Sequence, residues 1–204
     1  MQRYARRNYE NNYLCPSPRE GSFNASILQK VREIFETRHE TYQVIDLYHD
    51  GFDPVFHANE LKEFSQGTSP NELVNKYQKI IQETDELIFI FPIWWYSVPV
   101  VLKGFLDKIL LKGFSYTETK YGMRGHLDTI NSVTIITTGQ SPKWYIRLFK
   151  GDGIKGTLIN GTLKSVGMKR IRWIHEGYIT SSSRSKKEAF RLSRTDMYRK
   201  RDTK

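Results

Sequence analysis

Cysteine is almost missing from this chain: Cys15 stands alone, which excludes an internal disulfide and any metal cluster built on several thiolates. Long apolar runs are also missing. The longest, Leu87–Trp95, is interrupted by Pro92 and falls well short of the ~20 residues that cross a bilayer. No apolar stretch follows the basic residues at the start, so no secretory signal is expected and the chain reads as cytoplasmic. The five histidines are scattered without metal-ligand spacing, so no metal is expected. The one G-x-G-x-x-G string, Gly151–Gly156, falls inside a stretch read as helical and not directly after a strand, so it is no dinucleotide fingerprint, and no Walker loop or nucleophile-elbow serine is present. These gaps argue against a Rossmann dehydrogenase with a resident nicotinamide, a nucleotide hydrolase and a serine hydrolase.

Acidic residues are outnumbered, 22 against 32 basic ones, for a net charge of +10. The excess gathers at the ends, in Arg3, Arg6 and Arg7 and in a basic tail over about 191–204. Such charge suits nucleic acid, an acidic membrane surface or a phosphorylated cofactor, and equally a solvated tail. No glycine-aromatic strand motif or Cys/His finger accompanies it, so nucleic acid is not the expected partner. At 204 residues, with 38% hydrophobic and 26% charged residues, residues 1–204 read as one globular domain without a linker.

What is present alternates between helix and strand. Ser22 or Asn24 can cap a helix bearing Ile27, Leu28, Val31, Ile34 and Phe35. Thr41–Tyr48 reads as a strand, and Ser69-Pro70 opens a helix with Pro in its first turn. Glu86–Phe91 and Ser132–Thr137 are almost wholly apolar, as strands covered on both faces should be. Val98–Leu111 and Trp144–Val166 read as helices, the second broken by glycines. Lys169–Ile174 reads as a strand and Ser183–Met197 as a last helix. This order predicts an α/β fold with a parallel sheet between helical layers. The first strand is the exception. Met1–Asn12 is polar and charged, and only Tyr13-Leu14 looks strand-like, so that strand is either very short or outside the sheet.

Ligands of open parallel sheets bind beyond the carboxyl ends of the strands, and three strand-end loops here are unusual. Cys15–Asn24 runs into a helix N-terminus, where Ser22 and free N–H groups suit a phosphate or serve as plain caps. Pro92–Pro99 (PIWWYSVP) sets Trp94, Trp95 and Tyr96 at a strand end. They either wall a flat ring or cap the core and a dimer contact. In Thr137–Tyr145, Gly139 permits close backbone approach, Thr137 and Thr138 offer hydroxyls, and Tyr145 could cover a ring. An ordinary strand-to-helix turn is the alternative there.

With these loops, the sequence resembles the flavodoxin-like NAD(P)H:quinone oxidoreductases, including small bacterial reductases associated with potassium-efflux systems. The likeness runs from about Cys15 to Ile179. It is carried by Ser22-Phe23-Asn24, by Asp46-Leu47-Tyr48 with Phe52-Asp53-Pro54, by Phe91–Tyr116 and by Thr137-Thr138-Gly139. Two positions depart from the family pattern. Cys15 stands where the family usually has a histidine, and a charged segment replaces the apolar first strand.

The resemblance implies a flavodoxin-like three-layer sandwich with a five-stranded parallel sheet and an atypical first strand. It implies FMN, with FAD as the alternative, and NAD(P)H as co-substrate. Ser22, Phe23, Asn24 and Ser26 would hold the phosphate and ribityl end of the flavin. Pro92, Ile93, Trp94, Trp95, Tyr96, Thr137, Thr138, Gly139 and Tyr145 would hold its ring. Trp95, Tyr116 and Tyr145 would serve the reaction, with Trp95 and Tyr116 lining the pocket shared by nicotinamide and acceptor. By the same likeness the protein is a homodimer that passes hydride from NAD(P)H to a quinone by a ping-pong mechanism. The alternative is an accessory subunit of a membrane transporter with little turnover.

Overall fold

The computed structural model of the protein describes residues 21–180 in full and residues 11–14 as backbone. The elements in chain order are β1 (Asn11–Leu14), α1 (Phe23–Thr37), β2 (Tyr42–Ile45), α2 (Ala58–Phe64), α3 (Glu72–Gln82) and β3 (Glu86–Pro92). There follow α4 (Val100–Ile109), β4 (Tyr116–Thr119), β5 (Gly122–Gly125), β6 (Ser132–Thr138), α5 (Lys143–Phe149), a π-helix over Ile154–Leu163 and β7 (Ile171–Glu176). The predicted Ser183–Met197 helix, the basic tail and the Cys15–Arg19 part of the first loop lie outside the described residues.

The sheet is ordered β2-β1-β3-β6-β7 and every pair in it is parallel. Strand order therefore reverses between β1 and β3, which opens a crevice at their carboxyl ends. Among the described residues β1 covers Asn11–Leu14 and lies between β2 and β3, so this segment is inside the sheet.

Alternation along β3 builds two cores, because successive side chains of a strand point to opposite faces. Leu87, Phe89 and Phe91 join Val133 and Ile135 of β6 on one face, covered by Val74, Tyr77 and Ile81 of α3, Leu102 and Phe105 of α4, and Ile154 and Leu158 of the π-helix. Ile88 and Ile90 join Ile136 and Ile174 on the other face, under Ile27, Val31, Ile34 and Phe35 of α1. A polar residue pointing into either layer would be costly, which is why the buried stretch of β3 is apolar from Leu87 to Phe91.

Several boundaries differ from the sequence reading. β2 stops at Ile45 because the Asp46 carboxylate accepts from the N–H groups of Tyr48 and His49 and turns the chain. Pro70 lies ahead of α3 and not within its first turn. Asn71 is the N-cap, its side chain accepting from Leu73 N at 3.0 Å. The Trp144–Val166 helix is two elements separated at Gly151 and Asp152, both at positive φ. β7 starts two residues late, after Arg170 at φ 49°. Helix α2 and the β4–β5 hairpin were not anticipated.

Candidate active site

The loop after β3 is held in an uncommon shape. Trp94 N donates to Ser97 O at 3.2 Å and Ser97 N donates to Trp94 O at 3.0 Å, closing a four-residue turn. Its central residues, Trp95 and Tyr96, have φ of 49° and 63°. Positive φ at both positions is a type I′ geometry, normally filled by Asn-Gly. Bulky residues there carry strain of order 1–3 kcal/mol each, the kind that gathers at functional sites. The turn leaves the Trp95 side chain 95% exposed, and the N–H groups of Trp95 and Tyr96 take no part in its closing bonds.

The loop after β6 lies beside it. Ile93 N donates to Thr138 O at 2.7 Å, extending the β3–β6 ladder into both loops. Gly139 N donates to Glu176 O, and Ile179 N donates to Gly139 O, so the third loop is pinned from the β7 side as well. A Cβ on Gly139 would meet His175 Cε1 at 3.2 Å and Ile93 Cβ at 3.8 Å, so the glycine lets the loop settle against both. Ile93, Trp95, Tyr96, Gly139, Gln140, Ser141 and Ile146 line a cavity of about 200 Å³ between the loops.

The first loop joins them through a buried contact. Thr138 Oγ1 donates to Asn24 Oδ1 at 3.0 Å, with both residues out of water. Ser22 caps α1 by accepting from Ala25 N at 3.1 Å, and Ser26 Oγ donates to Ser22 O at 3.2 Å. Phe23 packs partly buried on the α1-side core. Ser22, Trp95 and Gly139 thus sit on loops that meet at one rim, not on separate faces.

Three residues differ from their expected use. The hydroxyls of Thr137 and Thr138 do not face the cavity. Thr138 serves Asn24, while Thr137, fully buried, accepts from Trp173 Nε1 at 2.9 Å and lies 2.8 Å from His175 Nδ1. Tyr116 is not at this cavity within one chain. It opens β4 opposite Gly125 and lines a different hollow with Leu106, Leu110 and Met123. The reason is topological: α4 starts at the rim, and its ten residues carry the chain roughly 15 Å away before Tyr116 is reached.

Tyr145 lies next to the cavity residue Ile146. Its ring is 6.4 Å from that of Tyr96 and stacks on Phe149 at 5.5 Å. Pro92 is half-buried at the end of β3, and Trp94 is 47% exposed on the outer side of the turn.

Sequence reasoning missed His175, Ile146 and Lys150. His175 faces Thr137 across the β6–β7 ladder, and its Nε2–H donates to the Ser141 carbonyl at 2.9 Å. A carbonyl can only accept, so Nε2 carries a proton, while Nδ1 lies 2.8 Å from the Thr137 hydroxyl, which also lies 3.3 Å from the Ile174 carbonyl. Burial pushes its pKa down; the Ser141 bond opposes this, and the charge of Lys143 adds to it. The i, i+2 spacing of Trp173 and His175 on one strand face was the available signal.

The described residues hold no helix long and apolar enough to cross a membrane and no group of three or more His, Cys, Asp and Glu able to bind a metal. The flavodoxin-like fold family matches residues 13–200. Ribosyldihydronicotinamide dehydrogenase (quinone) of Mus musculus is 30% identical over 171 residues, covering 72% of each chain. The crystal structure of Smu.1420 from Streptococcus mutans UA159 superposes with a TM-score of 0.81 at 29% identity, covering 92% of this chain and 97% of that one. An FMN-dependent NADH-azoreductase from Bacillus anthracis, solved in complex with FMN, shares the fold with a TM-score of 0.75 at 13% identity, covering 96% and 100%. With its parallel sheet, its strained aromatic turn and these relatives, the chain belongs to the flavodoxin-like NAD(P)H:quinone oxidoreductases.

Proposed function

We propose that this oxidoreductase binds FMN at the rim of the sheet and moves hydride from NAD(P)H to a quinone in two successive half-reactions. The observation that carries the reading is the meeting of three loops, with Asn24 bonded to Thr138, and with Trp95, Tyr96 and Gly139 around one cavity. The residues present fit a planar ring. Gly139 lets one loop lie close, the N–H groups of Trp95 and Tyr96 stand outside the turn's own bonds, and Tyr145 supplies an aromatic wall. The N-terminus of α1 behind Ser22 offers N–H donors and a partial positive charge to a phosphate.

When bound, the flavin supplies the hydride relay that side chains cannot perform. The chain's own part is positioning and electrostatics. The N–H groups of Trp95 and Tyr96 would stabilise negative charge at the edge of a bound ring. The Thr137–His175–Ser141 bonds hold the third loop in place. Ile93 and Ile146 present apolar surface that keeps water from the reacting face. A homodimer fits this reading, since a second copy would cover the exposed Trp94, Trp95 and Val100.

The test is direct. Purified protein reconstituted with FMN should show a bound-flavin absorption spectrum and reduce a soluble quinone with NADH or NADPH. Parallel-line kinetics on varying both substrates would support the two half-reactions. Protein that binds no flavin, or that binds it without turnover, would overturn the enzymatic reading in favour of an accessory role.

A further inference from the structure

Three cations lie on the segment that carries the cavity residue Ile146, and they are disposed differently. Lys143 Nζ donates to Trp173 O and lies 4.3 Å from the centre of the Trp173 ring. Arg147 Nε stands 3.5 Å from Asp152 Oδ2. Lys150, the residue on which α5 ends, points its ammonium at two rings, 5.1 Å from the centre of Tyr96 and 5.5 Å from that of Tyr145. It is exposed, and among the described residues no carboxylate lies within ion-pairing distance of it. The nearby acid, Asp152, faces Arg147 instead. The loop is held against the turn, for a Cβ on Gly153 would come within 3.1 Å of Tyr96 O. Tyr96 itself lines the cavity, so an uncompensated positive charge stands beside one of its walls.

We propose that Lys150 is a specificity-determining residue that makes this site favour anionic acceptors: quinones or azo compounds bearing a sulfonate or carboxylate. The inference rests on the quinone-reductase reading of the same cavity. Aromatic rings orient the ammonium without neutralising it, because a ring face attracts a cation while carrying no net charge. An anionic substituent entering beside Tyr96 therefore meets a fixed, only partly screened cation. A neutral acceptor of the same shape gains nothing from it. At a few ångströms near a protein surface the attraction is worth about three- to tenfold in binding, and it falls as salt rises.

The experiment compares kcat/KM for naphthoquinone sulfonate with kcat/KM for neutral menadione, taking the ratio in each variant so that changes common to both acceptors cancel. Lys150→Gln should lower the anionic-to-neutral ratio about three- to tenfold. Lys150→Glu should lower it further, Lys150→Arg should retain it, and added salt should bring the unmodified protein towards the Lys150→Gln value. A ratio that does not change across the variants would overturn the proposal, leaving the ammonium a packing partner of two rings. Absence of turnover with either acceptor would instead sink the enzymatic reading. Calorimetric binding of naphthoquinone sulfonate to the same variants then decides the charge preference alone, and equal affinities would overturn it.

Discussion

Lys108 and Lys150 make the same contact in opposite settings. Each ammonium stands over two aromatic rings, Phe52 and Phe56 for Lys108, Tyr96 and Tyr145 for Lys150, at 5.1 to 5.8 Å. Lys108 is 1% exposed and lies 2.9 Å from the buried Glu60 carboxylate. Lys150 is in water without a carboxylate partner among the described residues. Burial pushes the Glu60 carboxyl up, but bonds from Lys108 and from the His57 N–H outweigh it and hold it below the usual range. The rings are common to both; the carboxylate and the exclusion of water are not. One lysine ties α4 to α2 and belongs to the fold, while the other keeps a charge beside a cavity wall.

The largest expected effect breaks the buried member of this pair. Lys108→Ala leaves Glu60 charged and unpaired in the interior, and should cost about 3–5 kcal/mol in urea unfolding. Replacing both partners, Lys108→Met with Glu60→Leu, should restore most of that loss, because an apolar pair needs no compensation. Lys150→Ala, in contrast, should move stability by no more than about 0.5–1 kcal/mol. Equal losses at the two lysines would erase the distinction.

A smaller effect is expected where interior and rim join. Thr138→Val is close in shape but removes the donor to Asn24 Oδ1, leaving a buried acceptor unsatisfied at about 1–3 kcal/mol. Because that bond links the first loop to the third, flavin affinity should fall together with stability. A stability loss with unchanged flavin affinity in a reconstitution titration would confine Thr138 to the interior.

How much of this was legible depended on what burial leaves in the sequence. β3 and β6 are apolar on both faces, so their central place was readable from composition alone. The hairpin Tyr116–Gly125 is mostly exposed and polar, and α2 buries only Glu60, so neither carries an apolar period to be found. The aromatic turn after β3 was legible as a site because three large rings at a strand end are hard to bury. Its positive φ values were not, since Trp-Tyr is a poor I′ pair. His175 and Lys108 acquire their roles only through partners distant in the chain, Thr137 and Glu60. Tyr116 was placed by resemblance, and the length of α4 removes it from the cavity of its own chain.

Below the rim, His175 gives a pH-dependent version of the same contrast. Its folded pKa is depressed, chiefly by burial, relative to an exposed imidazole near 6.5. The unfolded chain therefore takes up a proton that the folded ring resists. The stability this confers is complete above about pH 6.5 and is lost as the pH falls through the lower, folded value. His175→Gln should flatten the fall in thermal stability over that window, and the Gly139–Ser141 loop it supports should exchange amide hydrogens faster. An unchanged pH profile would mean that other groups govern the acid limb.

A stability effect of opposite sign is expected at the turn itself. Trp95 sits at φ 49° with its side chain 95% exposed, so the indole returns little burial for the strain of its backbone. Asparagine tolerates that conformation, and Trp95→Asn should therefore raise stability by about 0.5–1 kcal/mol. The same change removes an aromatic wall from the cavity and should lower kcat/KM for quinone several-fold. A residue retained for packing would do the reverse, destabilising when truncated and leaving turnover intact. The sign of the stability change, read beside the kinetics of one variant, therefore tells whether the strain at Trp95 belongs to the fold or to the site.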